Sequence, residues 1–378
     1  MRIAMVTPGF SASDADWCIP ALQDLACGLG QQHQVHVFAT TYPHRRSEYL
    51  VKGVPVSSFG DGRSGRFALT RRLWKTVAAI EASHNDKPFD VLHGFWADHG
   101  GIVTNWAARR LSVPNIVTAM AGELTFEPLI GYGKRKRPIA GRMARFGARN
   151  ADVLIALSKF HADRIKIEQP TLEPRVIPFG VDTERFSPQG RVQSLDGQIA
   201  VLSAGSLIPV KGHAIVLQAF ALALERVAGL HLHLFGEGHL ESALRRQAED
   251  LGISGSVSFH GHVEHHILPE FYRGASFSVT GSYFESLGMV ILEAAACGLV
   301  TIGSAVGSAP DFCSAEVLNQ PGDPVALAAN IQRVATETEF RKQLARKASE
   351  NVNDGYTLEQ SVRGHEGVYR SCRSRSTC

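Results

Sequence analysis

The stretch from Ser276 to Gly298 restricts this chain most. An apolar, strand-like run (Ser276-Phe277-Ser278-Val279-Thr280) leads into a short loop and then into Met289-Val290-Ile291-Leu292-Glu293-Ala294-Ala295-Ala296, a run of strong helix formers. Strand, tight loop and helix in that order form the step of a parallel α/β sheet. Glu285 and Glu293 bracket the loop with seven residues between them. A helix beginning just after Glu285 would turn several free backbone N–H groups, those of Ser286 to Met289, toward the loop. Such groups, with the helix dipole, suit a phosphate, and Gly288 lets a ligand approach the backbone. The two carboxylates can accept hydrogen bonds from hydroxyls on either side of it. Hydroxyls at both ends and a diphosphate between are the outline of a sugar nucleotide. A capped surface helix with two solvated acids would carry the same residues.

At 378 residues the chain is too long for one ordinary core, so two domains are expected. A net charge of +3 does not mark a polyelectrolyte binder. The six cysteines are scattered, with no C-x-x-C pair, and read as reduced thiols of a cytoplasmic protein. Met1 to Val6 already reads as strand, so no leader is expected, and no apolar run approaches the ~20 residues needed to cross a bilayer.

In the first half, Ile3–Val6, a helix around Pro20–Leu29 and a strand at Val35–Ala39 open a β-α-β unit. Gly9 and Phe10 lie in the turn after its first strand. A second strand ends at His93, and another leads to Glu123. Ligands of parallel sheets sit at the carboxyl ends of strands, so Gly9, Phe10, His93 and Glu123 are candidates for the rim of a site. Either histidine of this region, His93 or His99, reads equally as a hydrogen-bonded turn residue. Lys134, Arg135, Lys136 and Arg137 precede Arg142, Arg145 and Arg149, whose spacing places them on one helix face, and no acid occurs between Glu127 and Asp152. This is either a solvated face or a dock for anionic lipid or a phosphate-bearing acceptor. Nucleic acid is not expected, because no aromatic residues interleave with the charges. Ser158 is placed to cap the next helix, and the polar run Ser187–Gln198 reads as a linker.

The second half starts a fresh unit at Ile199–Gly205, followed by Ser206-Leu207-Ile208-Pro209-Val210-Lys211-Gly212 and a long helix to about Val227. Leu230–Gly238 is a strand with a glycine turn containing Gly236. His260, His262, His265 and His266 lie close in sequence, but no Cys or Asp joins them in ligand spacing, and no metal site is expected. Pro324–Lys347 reads as helix, a terminal helix begins at Tyr356–Glu359, and Ser371–Cys378 reads as a frayed basic tail.

Taken together, these elements resemble glycosyltransferase family 4, retaining enzymes of two Rossmann-like domains. The likeness runs from the Glu285/Glu293 segment through Gly298, Val306–Asp311 and Gly322-Asp323-Pro324, and back over most of the chain. Ser206–Gly212 is similar to the family's GRL-x-x-x-KG loop, Gly236 to its glycine turn at the nucleotide, and Val176–Phe186 to its IPNGVD…F element, with Phe179 where Asn is usual. The resemblance implies the GT-B architecture, an α/β fold with parallel sheets facing an interdomain cleft. Residues 1–187 would form an acceptor-side domain, 188–355 a nucleotide-sugar domain, and helix 356–370 would pack back on the first. It also implies retaining transfer of a sugar from a nucleotide sugar to a glycan or lipid-linked acceptor, as in polysaccharide or glycoconjugate biosynthesis, with no cofactor and no metal. Glu285 would hold the transferred sugar and Glu293 the ribose. Lys211 and the helix N-terminus would stabilise the leaving diphosphate, with Ser206, Gly236 and Ser286–Val290 completing the donor site. The chain departs from the family pattern at Ser206, where an Arg is usual, at Met120 and Ala121, where a His is usual, and in lacking a glycine pair after the first strand. A weakened or non-catalytic nucleotide-sugar binder is therefore the rival reading, and an epimerase or phosphorylase on a related fold is a third. Peripheral attachment at the inner face of the cytoplasmic membrane follows if the basic stretch docks lipid.

Overall fold

A computed structural model describes residues 1–376 as two compact units. Of the described residues, the first comprises 1–127, 131–180 and 358–376, and the second 128–130 and 181–357. The sequence reading set the first boundary seven residues later, after Ser187; here Val181–Ser187 groups with the second unit.

The first unit contains strands β1 (Arg2–Gly9), β2 (Gln34–Tyr42), β3 (Arg46–Val51), β4 (Val54–Phe59), β5 (Val91–Phe95), β6 (Asn115–Thr118), β7 (Val153–Ala156) and β8 (Arg175–Val176). Its helices are α1 (Pro20–Gly30), α2 (Arg66–Asp86), α3 (Gly101–Leu111), α4 (Pro138–Arg149) and α5 (Lys159–Glu168). The strand order is β3-β4-β2-β1-β5-β6-β7-β8. Every pair is parallel except the edge pair β3–β4. Residues of β5, β6 and β7 are buried throughout, the mark of central strands covered on both faces. Strand order reverses at β1, whose neighbours are β2 and β5. That is the topological switch point of the sheet.

The second unit contains β9 (Ile199–Ala204), β10 (Leu230–Phe235), β11 (Val257–Gly261), β12 (Phe277–Thr280), β13 (Thr301–Ser304) and β14 (Leu318–Asn319). Its helices are α6 (His213–Leu224), α7 (Glu241–Asp250), α8 (Leu268–Gly274), α9 (Met289–Ala296), α10 (Ala309–Phe312), α11 (Pro324–Thr336) and α12 (Thr338–Gly355). The all-parallel order β11-β10-β9-β12-β13-β14 puts this switch point between β9 and β12.

The closing helix α13 (Leu358–Ser376) belongs to the first unit. A methyl group added at Gly28 of α1 would meet Val362 at 2.8 Å, so the small residue admits the helix. Polar pins accompany the packing: His33 Nε2 to Glu366 Oε1 at 2.9 Å, and Ser361 Oγ donating to the Pro178 carbonyl at 2.8 Å.

Several sequence expectations are corrected. Ser371–Ser376, read as a tail, is helical and continues α13; Thr377 and Cys378 lie outside the described residues. The expected helix Pro324–Lys347 is two helices, α11 and α12, with Glu337 between them. Helix α9 starts at Met289 and not just after Glu285, because Gly288 takes the left-handed conformation (φ 88°) and ends the loop there. The region from β3 to α2 went unread. Its hairpin turn, Lys52-Gly53 with both φ values positive, is the local signal that marks it.

Candidate active site

Two loops of the second unit meet at its switch point. One follows β9 and carries Ser206 and Lys211; the other follows β12 and carries Glu285. Their backbones touch at Gly212 and Gly281. Gly212 sits at φ 62°, and a Cβ there would lie 1.9 Å from the Gly281 carbonyl oxygen. Only glycine fits, and this close approach brings the two loops' side chains together.

Lys211 Nζ donates to Glu285 Oε1 at 2.7 Å, and Ser282 Oγ donates to the same oxygen at 2.8 Å. Ser282 Oγ is itself 3.1 Å from Thr280 Oγ1. Among the described residues, Oε2 of Glu285 has no hydrogen-bond partner. A carboxylate offers about four acceptor sites, so Glu285 is fixed through one oxygen and open at the other. His213, beginning α6 beside Lys211, is buried, its ring close to the backbone of Gly205 and Ser206. Burial, then the neighbouring Lys211 charge, pulls its pKa down to about 4 and keeps it neutral.

The remaining donor-site candidates line the same edge. Ser206 is exposed. Gly236, after β10, packs so closely on the Gly205 carbonyl that a Cβ would lie 2.1 Å from it. Ser286, Met289 and Val290 are half-buried at the entrance to α9, whereas the Leu287 side chain is in the core. Glu293 lies deeper, its carboxylate turned to protein partners: His265 Nε2 at 2.8 Å from Oε1 and the Tyr272 hydroxyl at 3.3 Å from Oε2. Burial raises the Tyr272 pKa well above its ordinary value, and the Glu293 charge adds to it. Ser282 and Tyr272 were not read from the sequence, and His265 was weighed there only as a metal ligand, not as the partner of Glu293. Ser282 stands three residues before Glu285 and was legible in principle; His265, 28 residues from Glu293, carries no local signal.

The first-unit candidates are less open. His93 does not sit on a rim. It is fully buried in β5, with Nδ1 2.8 Å from the Tyr369 hydroxyl and Nε2 2.7 Å from Thr118 Oγ1. Burial holds its pKa well below the ordinary value. Its work is to pin the sheet to α13. Phe10 is likewise in the core, with its backbone N–H on the Tyr42 carbonyl, and Gly9 ends β1. Glu123 is turned inward, accepting from the backbone N–H groups of Met120 and Ala121, each at 2.8 Å, and of Ala97 at 3.3 Å. Burial, with Asp98 nearby, pushes its pKa up to about 7. Asp98 lies in a π-helical turn, Trp96–Gly100, that opens at φ 64° on Trp96. Burial alone would raise the Asp98 pKa, but His99 and Lys134 outweigh it and hold the carboxyl below its ordinary value.

The basic stretch is partly neutralised by acids distant in sequence. Lys134 pairs with Asp98, Arg135 with Glu168 at 3.2 Å, and Lys136 lies 4.3 Å over the Phe126 ring. On α4, Arg142 and Arg149 are exposed and Arg145 is half-buried. Among the described residues no group of three His, Cys, Asp or Glu is placed to hold a metal ion. His260 stacks on Phe235 and meets His233 at 3.0 Å, while His266 faces Glu264 at 3.3 Å.

Two α/β units, each a parallel-sheet Rossmann-like domain, make up the GT-B class. Residues 19–180 match the model of the glycosyl transferase 4-like domain, and residues 189–351 that of glycosyl transferases group 1. A D-inositol 3-phosphate glycosyltransferase of Geodermatophilus obscurus is 31% identical over 310 residues, 75% of this chain and 68% of the relative. One from Frankia alni is 30% identical over 331 residues, covering 79% and 78%. Among solved structures, sucrose-phosphate synthase from Thermosynechococcus elongatus superposes with a TM-score of 0.83 at 21% identity, over 99% of both chains. HepE from Anabaena, in complex with UDP-glucose, gives 0.74 at 16% identity over 98% and 100%. The chain belongs to glycosyltransferase family 4 and is a glycosyltransferase of the hexosyltransferase type. No helix among the described residues is long and apolar enough to cross a membrane.

Proposed function

We propose that the protein transfers a hexosyl group from a nucleoside-diphosphate sugar, with retention of anomeric configuration, to a glycan or lipid-linked acceptor. One observation carries this reading: Glu285 is clamped at Oε1 by Lys211 and Ser282 while Oε2 is left to accept. In this reading Oε2 receives a hydroxyl of the transferred sugar. Lys211 exchanges its bond to Glu285 for the diphosphate as charge develops on the leaving group, and the N-terminus of α9 faces the same phosphates. Glu293 accepts from the ribose. The acceptor hydroxyl attacks from the face the diphosphate leaves, and a leaving-group oxygen takes its proton, so no side-chain base is required. The donor belongs on the second unit and the acceptor on the first. Relatives support a lipid-linked or inositol-containing acceptor: besides the inositol-phosphate enzymes, an alpha-monoglucosyldiacylglycerol synthase of Streptococcus pneumoniae is 27% identical over 286 residues. With a lipid-linked acceptor, the exposed arginines of α4 become a peripheral contact with anionic membrane.

The rival reading, a binder with weakened chemistry, rests on Ser206. A hydroxyl cannot replace the bidentate clamp of an Arg on a diphosphate. The test is a thermal-shift screen of nucleoside diphosphates, followed by donor turnover with the matching nucleotide sugar. Stabilisation by a nucleotide with release of sugar supports the transferase. Stabilisation without release supports the binder, and no stabilisation by any nucleotide overturns both.

A further inference from the structure

Glu293 is held by a chain of side chains within the second unit. Asp182 Oδ2 accepts from Arg185 Nη2 at 2.8 Å, and its Oδ1 accepts from the backbone N–H of Glu184 and Arg185 at 3.1 and 3.2 Å. Arg185 Nη1 meets His265 Nδ1 at 3.2 Å, and His265 Nε2 meets Glu293 Oε1 at 2.8 Å. The Phe186 ring lies 5.0 Å from that of His265, limiting its rotation.

The donor–acceptor inventory fixes the state of this histidine. A guanidinium only donates, so Nδ1 must present its lone pair. The ring proton then sits on Nε2, where it donates to the Glu293 carboxylate. The other neutral tautomer would set proton against proton at Arg185 and lone pair against lone pair at Glu293. The imidazolium would keep the first of those clashes. His265 therefore supplies Glu293 with a hydrogen bond and no charge. Together with the Tyr272 hydroxyl near Oε2 it takes one acceptor site on each oxygen. That fixes the plane of the carboxylate and leaves one site per oxygen, the pattern that receives two neighbouring hydroxyls.

We propose that His265 is the positioning residue of Glu293. Held by Arg185 as the Nε2–H tautomer, it orients the carboxylate toward the vicinal diol of the donor's ribose and so selects ribonucleotides over 2′-deoxyribonucleotides. The inference rests on the assignment of Glu293 to the ribose. Glutamine is the diagnostic replacement, since its amide can donate to Glu293 and its carbonyl can accept from Arg185.

Binding of UDP, GDP and ADP, of the 2′-deoxy form of whichever binds most tightly, and of inorganic pyrophosphate is measured by isothermal titration. His265→Ala is expected to weaken the ribonucleotide about tenfold or more, to bring its affinity close to that of the deoxy form, and to leave pyrophosphate unchanged. His265→Gln is expected to restore most of the ribonucleotide affinity and its preference. Unchanged pyrophosphate binding also reports that the variants are folded. In the wild type, two-bond ¹H–¹⁵N correlations of the imidazole should show a neutral Nε2–H ring. An Nδ1–H or doubly protonated ring overturns the proposal, as does His265→Ala retaining full discrimination while Glu293→Ala loses it. If Glu293→Ala binds the ribonucleotide as the wild type does, the ribose assignment itself fails.

Discussion

Each unit has a lysine–carboxylate pair in the loops after its strands, and the two pairs are built differently. In the first unit Lys134 meets Asp98, whose other oxygen accepts from the His99 backbone N–H. Both oxygens are occupied, and Glu123 beside them is spent on three backbone N–H groups. In the second unit Lys211 and Ser282 share one oxygen of Glu285 and, among the described residues, leave the other without a hydrogen-bond partner. Exposure does not separate the pairs: the lysine side chains are 37% and 25% accessible, the carboxylates 4% and 10%. What separates them is unused hydrogen-bonding capacity. Asp98, tied to Lys134 and to its own loop's backbone, serves to organise that loop, whereas Glu285, with one oxygen to spare, keeps more acceptor capacity for a ligand.

The largest test of this contrast exchanges the two lysines' roles. Lys211→Ala should lower turnover about 10²–10³-fold, the usual effect of removing one preorganised donor to developing charge. Lys134→Ala should instead lower the melting temperature, because it strands buried Asp98, and leave donor affinity alone. Initial rates and thermal melts of both variants check the pair. A large kinetic loss in Lys134→Ala with donor affinity reduced would erase the distinction.

Next in size is a pH effect confined to the first unit. Glu123 titrates near 7 when folded, above its ordinary 4.5. The folded state therefore binds the extra proton between those values, and stability falls as pH rises through that window and levels off above it. A shift of this size corresponds to about 3 kcal/mol. Melts from pH 4.5 to 8 should show that decline, and Glu123→Gln should flatten it. An equal slope in the variant would assign the decline to another group.

Smaller again is Ser206→Arg. Restoring a guanidinium beside Lys211 should tighten nucleoside-diphosphate binding about tenfold, measured by titration calorimetry. No gain would mean that another group already fills the clamp. The smallest expected effect is on the α4 surface. Arg142→Ser should reduce binding to anionic liposomes by no more than about 1 kcal/mol. Binding that responds to salt and to anionic lipid, and weakens further with Arg149→Ser, supports the lipid contact; equal binding to neutral liposomes refutes it.

The strand–loop–helix runs at Ile199–Gly212 and Phe277–Ala296 were legible because a parallel sheet is written in contiguous apolar segments and glycines. That sufficed for the architecture and for placing Lys211 and Glu285 in their loops. It could not show that these loops converge, since the contact depends on Gly212 meeting Gly281 across the sheet. Nor could it reveal that His93, read as a rim residue, is sealed by a helix 276 residues later. The acid-free interval Glu127–Asp152 suggested seven unscreened charges, yet Asp98 and Glu168 arrive from outside that interval. Local pattern reports what a segment prefers; who neutralises it is decided by the fold.

The return of α13 to the first unit also sets an order of events during synthesis. Tyr369 leaves the ribosome long after His93, with the whole second unit made in between. At about 5–20 residues per second the wait is on the order of tens of seconds. Throughout it the sheet of the first unit lacks the helix that covers α1 and the hydroxyl that meets His93. The nascent first unit therefore carries an uncovered apolar face, and the second unit can be complete before the first. This chain should lean on a chaperone at its beginning more than at its middle.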